Sequence, residues 1–273
     1  MNPPAWPATG PVTAASAATG SPAAASPAAA SPAAASPATG TATASAALRA
    51  AGRDAWTAAV SHPMVAAIAA GTLPHETFRR YFEQNVRYLE DYARAIALTM
   101  AKAPDRPALD VLSRFGRQIV GTEIPANLDF LARLGGSADR LPGPAALHPV
   151  TYAYTRHLLH VCAQDGCAEG LAALLPCQWS YGEIAQPLMA APPADPVYAD
   201  WIRMFGNADY DALVAETTGL LDRLAGPVVG DPVAGDPAAG ETADAGPWPR
   251  LSAVFSISIR YEREFWDMAY AAA

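Results

Sequence analysis

The 273-residue chain carries 26 acidic and 18 basic side chains, a formal charge of -8, and Lys102 is its single lysine. That balance leaves no basic patch and argues against a nucleic-acid partner, and no apolar run reaches the length a membrane span needs. Three cysteines, Cys162, Cys167 and Cys177, form no Cys-x-x-Cys unit and no paired framework, which fits a reducing, cytoplasmic compartment.

Residues 1–49 begin with a long stretch of Ala, Pro, Ser, Thr and Gly that repeats Ser-Pro-Ala-Ala-Ala. It lacks the large apolar groups that repay ordering entropy, and a disordered tail is expected. It also lacks the basic lead and Leu-rich run of a secretory signal. Residues 50–273 are expected to form one domain around one core. A first helix is predicted over Ala50–Val60, ending before His62-Pro63, where the proline holds the preceding residue extended. A short turn or helix runs to Gly71. Thr72-Leu73-Pro74-His75-Glu76 introduces the next helix, with Pro74 at its entrance. From His75 to about Lys102, Phe78, Phe82, Asn85, Tyr88 or Leu89, and Tyr92 recur at three- and four-residue steps and define one buried or pocket-facing stripe. Asn85 is its polar exception, either an amide satisfied between helices or one kept for a ligand.

Arg106–Leu134 is helical in pattern, with Leu109, Leu112, Phe115, Ile119 and Val120 spaced for burial, and Pro125 is expected to bend or split it. Glu123 and Asn127 stand one turn apart. A di-iron helical enzyme needs imidazole at such a place, and the amide of Asn127 is a poor substitute, which lowers the case for metal catalysis. Beyond the Gly135–Ala146 loop, a helix from His148-Pro149 to Gln164 puts Tyr154, His157 or Leu158, and Val161 on one side. His157 and His160 lack the further ligands a metal site requires. Val197–Phe205 and Tyr210–Leu224 read as helices around Gly206-Asn207. Residues 226–249, dominated by Gly, Pro, Asp and Ala, read as a mobile loop without the ligand spacing of a calcium loop.

Two segments carry chemistry. Between Ala168 and Met189, Leu174-Leu175-Pro176-Cys177-Gln178-Trp179-Ser180-Tyr181-Gly182-Glu183-Ile184 sets a thiol, an indole, a phenol and a carboxylate into an apolar helical context. Cys177, Tyr181 and Ile184 share one helix face, and Pro176 is expected to open the turn before them. This is the pattern of a pocket wall with a nucleophile. In the last helix, Arg250 to about Ala271, Phe255, Ile259, Glu262, Trp266 and Tyr270 repeat at helical spacing and set Glu262 on the inward stripe. Burial there raises a carboxyl pKa into the range of a proton shuttle. Pairing with Arg260 or Arg263 is the competing account, but adjacent residues point to different faces.

From about Ala51 to Tyr270 the chain resembles the TenA family, also called thiaminase II or aminopyrimidine aminohydrolase, of the haem-oxygenase-like helical superfamily. The resemblance rests on His62-Pro63 with Gly71-Thr72-Leu73-Pro74, on Tyr152-x-Tyr154-Thr155-x-His157, on the Leu174–Ile184 segment, and on Tyr261-Glu262-x-x-Phe265-Trp266-x-Met268-Ala269-Tyr270. It implies an all-α, single-domain haem-oxygenase-like bundle with a central pocket, assembled as a homotetramer and using no metal or other cofactor. It implies hydrolysis of 4-amino-5-aminomethyl-2-methylpyrimidine, thiamin, or both. Cys177 would then be the nucleophile and Glu262 the proton-managing carboxylate, with Tyr88, Tyr154 and Tyr181 lining the substrate.

Two positions depart from the family pattern. Asn85 stands where the family has an aspartate, and loss of a charge-assisted bond costs about 1.5 to 3 kcal/mol of binding. Phe205 stands near a family tyrosine and offers a ring without a hydroxyl. Both are expected substrate-contacting residues, and together they open the alternatives of a Cys-dependent reaction on a different heterocycle or of noncatalytic small-molecule binding.

Overall fold

In the computed structural model, residues 42–228 and 247–271 are described. They form α1 (Ala44–Ala51), α2 (Arg53–Val60), α3 (Pro63–Ala69), α4 (His75–Met100), α5 (Arg106–Gln118), a π-helical turn (Ile119–Glu123), α6 (Ile124–Arg133), α7 (Pro149–Gln164), α8 (Cys167–Leu188), α9 (Pro196–Phe205), α10 (Ala208–Ala225) and α11 (Trp248–Tyr270). Among the described residues the only β pairing is an isolated bridge between Ala42 and Val228.

Three helix entrances use one device, a side-chain cap followed at once by proline. His62, His148 and Asp195 accept from the backbone amides of Met64, Val150 and Val197 at 3.1, 3.2 and 2.8 Å. The prolines at 63, 149 and 196 lose only an amide that a helix start would leave unpaired. Asn207 caps α10 through the Tyr210 amide at 3.0 Å. Gly71 takes φ 67°, the left-handed conformation that ends the turn after α3 at little cost to glycine.

α4 and α8 lie at the centre, α4 against α5, α6, α7, α8 and α11, and α8 against α7, α9, α10 and α11. α8 is apolar nearly all round, Gly170 to Pro176 being buried without a break, as a helix enclosed on every side must be. Tyr92 of α4 donates to the Leu174 carbonyl at 2.8 Å and Tyr210 of α10 to the Gln178 carbonyl at 2.9 Å, so two hydroxyls fasten α8 on either side of Cys177. The Trp56 indole stacks on Phe255 at 5.9 Å and donates to Glu183 at 3.0 Å, while Arg49 reaches the other oxygen of Glu183 at 2.9 Å. Glu183 is therefore the anchor of the first two helices. Asp222 of α10 accepts from both the amide and the hydroxyl of Ser45, at 2.7 and 2.9 Å, and fixes the start of α1.

Several expectations are corrected. Helical structure begins at Ala44, not Ala50, and Gly52 divides the expected first helix in two. Pro176 lies inside a continuous α8 instead of opening a turn. Pro125 does split its segment, but through a π turn followed directly by α6. Leu109 and Val120, expected inside, are 43% and 59% exposed. α11 begins at Trp248, so the expected loop ends before residue 249. Residues 1–41 of the expected tail and 229–246 of the expected loop lie outside the described residues.

Candidate active site

Cys177 is only partly buried although it is placed by the central helix, while Leu174 and Leu175 beside it are completely enclosed. Its thiol therefore keeps some accessible surface. Tyr88 of α4 and Glu262 of α11 stand beside it, Tyr154 of α7 lies within reach of its charge, and Phe265 of α11 packs on Tyr88. The Tyr88 ring is 5.0 Å from Tyr154 and 5.5 Å from Phe265, which makes an aromatic wall beside the thiol.

The electrostatics are those of a dry site. Glu262 is 2% exposed, and the Tyr154 hydroxyl donates to its Oε1 at 2.5 Å. Burial pushes the Glu262 carboxyl up to about 7, against the opposing pull of the Tyr154 hydroxyl and the Cys177 thiol, both of which favour the carboxylate. No arginine contributes: Arg263 turns to Asp267 at 3.4 Å. The Cys177 thiol is held well above its ordinary value, first by burial and then by the Glu262 charge, with the Tyr88 hydroxyl opposing. That hydroxyl lies beside the sulfur without completing a hydrogen bond, and it is buried with no partner. At neutral pH the pair thus holds a protonated thiol against a carboxyl near its midpoint. Such a pair moves a proton from sulfur to oxygen with little rearrangement.

Tyr181, one turn after Cys177, shares a hydrogen bond of 2.8 Å with Tyr81, and its ring packs on Phe205 at 4.9 Å and on Trp266 at 5.4 Å. Phe205 joins the group as a ring alone, edge-on to Tyr181, Trp201 and Tyr210. Asn85 lies one turn before Tyr88, buried, and its Nδ2 donates to Asn127 Oδ1 at 2.8 Å. Of its two anticipated uses, the amide satisfied between helices is the one observed.

One buried acid was missed by sequence reasoning as part of this region. Glu123, 6% exposed, is pushed up to about 8 by burial, with Gln118 opposing, and its charge bears on Cys177, Tyr92 and Tyr210. Its spacing to Asn127 drew attention only as a failed metal motif. The available signal was Pro125 two residues later, because the π turn it accompanies rotates Glu123 inward.

Other marked residues lie elsewhere. His157 bonds Ser258 at 3.1 Å, and His160 is exposed. Cys162 and Cys167 are buried thiols, both pushed up to about 11 by burial. Trp179 packs edge-on to Trp56 at 5.1 Å, on the side of α8 that holds α2. No group of three or more His, Cys, Asp or Glu side chains clusters as a metal site among the described residues, and none of their helices is long and apolar enough to cross a membrane.

The chain is 32% identical over 219 residues to an aminopyrimidine aminohydrolase from Halalkalibacterium halodurans, spanning 79% of this chain and 90% of that protein. It is 29% identical over 226 residues to an aminopyrimidine aminohydrolase from Bacillus subtilis, spanning 81% and 87%. Among solved structures, a TenA family transcription regulator from a Silicibacter species superimposes with a TM-score of 0.71 at 28% identity, covering 83% of this chain and 96% of its own. The all-α, haem-oxygenase-like architecture expected from the sequence is the one observed. Residues 49–231, well over half of the sequence, match the TENA/THI-4/PQQC family, and the chain belongs to that family.

Proposed function

We propose that this chain is a hydrolase of an aminopyrimidine-type substrate, acting on 4-amino-5-aminomethyl-2-methylpyrimidine, thiamin, or both, with Cys177 as nucleophile. The observation that carries the reading is the partly accessible Cys177 thiol set against Glu262, itself held by Tyr154 at 2.5 Å. Similarity to two aminopyrimidine aminohydrolases supports the substrate class.

In the proposed reaction, the sulfur adds to a ring carbon while its proton passes to the Glu262 carboxylate, and the electron pair of the broken carbon–nitrogen π bond moves to the ring nitrogen, from where it later expels the exocyclic amine. Glu262, now an acid, protonates the departing exocyclic amine, which leaves as ammonia. Water adds at the exocyclic carbon, its surplus proton returns through Glu262, and collapse of the ring expels the thiol. The net change is an aminomethyl group and water converted to a hydroxymethyl group and ammonia. Tyr154 orients Glu262, Tyr88 faces the sulfur, and Tyr181, Phe205 and Phe265 supply rings that stack on the substrate and exclude water. The expected homotetramer and cytoplasmic setting belong to the same proposal, and sedimentation of the purified chain tests the first.

A second reading, Cys-dependent chemistry on a different heterocycle, is favoured by the neutral Asn85 and the hydroxyl-free Phe205. Mass spectrometry of products from the two pyrimidines, with Cys177→Ala as control, separates the readings. Cys177-dependent hydroxymethylpyrimidine supports the first. Folded protein that forms no product from either compound refutes it.

A further inference from the structure

Amide side chains usually leave their polarity open, because oxygen and nitrogen are alike in shape. Here the polarity is set by a group that can only accept. Asn127 Nδ2 donates to the Glu123 backbone carbonyl at 2.7 Å, which obliges Asn127 Oδ1 to face Asn85. Asn85 must then present Nδ2 to it, and does so at 2.8 Å. Both side chains are buried, at 1% and 6% exposure, so water does not loosen the arrangement. The Asn85 oxygen is left over. No donor reaches it among the described residues, and Asn85 stands on the α4 stripe that carries Tyr81, Tyr88 and Tyr92 past Cys177.

We infer that Asn127 is a positioning residue that fixes the orientation of Asn85, so that the site offers its ligand a neutral, acceptor-only oxygen matched to an uncharged N–H edge of an amino-substituted ring. The ligand half of this rests on the reading of the Cys177 surroundings as a heterocycle site; the Asn127–Asn85 half does not. The inference alters what the Asn85 substitution means. Restoring an aspartate at position 85 alone sets a carboxylate oxygen against Asn127 Oδ1, where an N–H now lies at 2.8 Å. Turning the Asn127 amide over relieves that contact only by aiming its oxygen at the Glu123 carbonyl, 2.7 Å away. For the ionised carboxylate two acceptors then meet in a buried place either way, which is unfavourable. Asn85 and Asn127 are therefore a matched pair, and an anionic acceptor at 85 is incompatible with the present 127.

Four full-length proteins test this: wild type, Asn85→Asp, Asn127→Leu and the double variant. Thermal unfolding without ligand is the first readout. Asn85→Asp lowers Tm, and adding Asn127→Leu raises it again because the opposing oxygen is gone. A merely additive pair, or an Asn85→Asp protein as stable as wild type, overturns the positioning role. The second readout is calorimetric binding of 4-amino-5-aminomethyl-2-methylpyrimidine to the same four proteins in a Cys177→Ala background. Binding weakens about tenfold or more in Asn85→Asp and recovers in the double variant. Tighter binding by Asn85→Asp alone overturns the ligand half. Absence of binding by the Cys177→Ala parent overturns the proposed function, and the stability cycle then still decides the pair.

Discussion

Removing the Tyr154 hydroxyl tests the central proton device with little change of shape. A phenylalanine keeps the ring between Tyr88 and Tyr261, at 5.0 and 5.2 Å, and deletes only the donor 2.5 Å from Glu262 Oε1. A hydrogen bond to a charged group is worth about 1.5 to 3 kcal/mol, and at 1.36 kcal/mol per decade this multiplies the carboxyl's proton affinity roughly ten- to hundredfold. The hydroxyl donates and so favours the carboxylate; its loss moves the Glu262 midpoint upward from about 7. If the carboxylate takes the Cys177 proton, kcat/KM has an acidic limb near neutrality. That limb moves to roughly pH 8–9 in Tyr154→Phe, with activity recovering on the alkaline side. The assay is the pH profile of hydroxymethylpyrimidine formation for the two proteins. A uniform loss at every pH, with the limb unmoved, refutes the assignment of Glu262 as the base.

Glu123→Gln tests the second buried acid through stability. Its folded pKa, about 8, lies above the ordinary 4.5, so folded protein keeps a proton that the unfolded chain releases, and stability falls as pH rises between those values. Glutamine has no proton to lose. Its advantage over wild type grows from near zero at pH 4.5 to on the order of 4 kcal/mol, as an upper limit, by about pH 8; a pH-independent difference in urea titrations refutes it. Gly170→Ala places a Cβ 2.5 Å from Oγ1 and 2.9 Å from Cγ2 of the fully buried Thr99, where α8 crosses α4. It is expected to cost about 1 to 3 kcal/mol by chemical denaturation, and an unchanged midpoint refutes the close crossing. Tyr88→Phe removes a buried hydroxyl that has no partner, so folding stability stays level or rises while turnover falls, the thiol having lost the group that favours its ionised form. Equal losses of Tm and turnover show instead that the hydroxyl is structural.

The helices were legible wherever a cap, a proline and a spaced apolar stripe agreed. Pro74 stands at the entrance of α4, and Phe78, Phe82, Asn85, Tyr88 and Tyr92 are all buried on the face their spacing predicts. The reading failed where the helical period itself changed. A stripe through Phe115, Ile119 and Val120 presumes α spacing, whereas the chain enters a π turn at Ile119 that holds an extra residue. That turn keeps Ile119 and Glu123 inside and leaves Val120 in solvent. Proline chemistry at Pro125 announced a break there but not its kind. At Pro176 the same chemistry misled, because enclosure on all sides and the tyrosine bonds to the carbonyls of Leu174 and Gln178 keep α8 continuous through the missing amide.

Within the candidate site, what could be read was which residues face inward; what could not be read was which of them meet. Glu262 falls on the inward stripe of α11 by spacing alone, but its hydroxyl partner stands 108 positions away on α7. Asn85 and Asn127 are 42 positions apart, and each looked anomalous by itself, one as a missing aspartate and the other as a missing imidazole. Placed face to face they become complementary, donor against acceptor, with the Glu123 carbonyl setting the direction of both. A polar residue in an apolar stripe is costly only until its partner is known. Two such residues at facing positions therefore have to be interpreted together, and replacing either one tests the pair and not the single position.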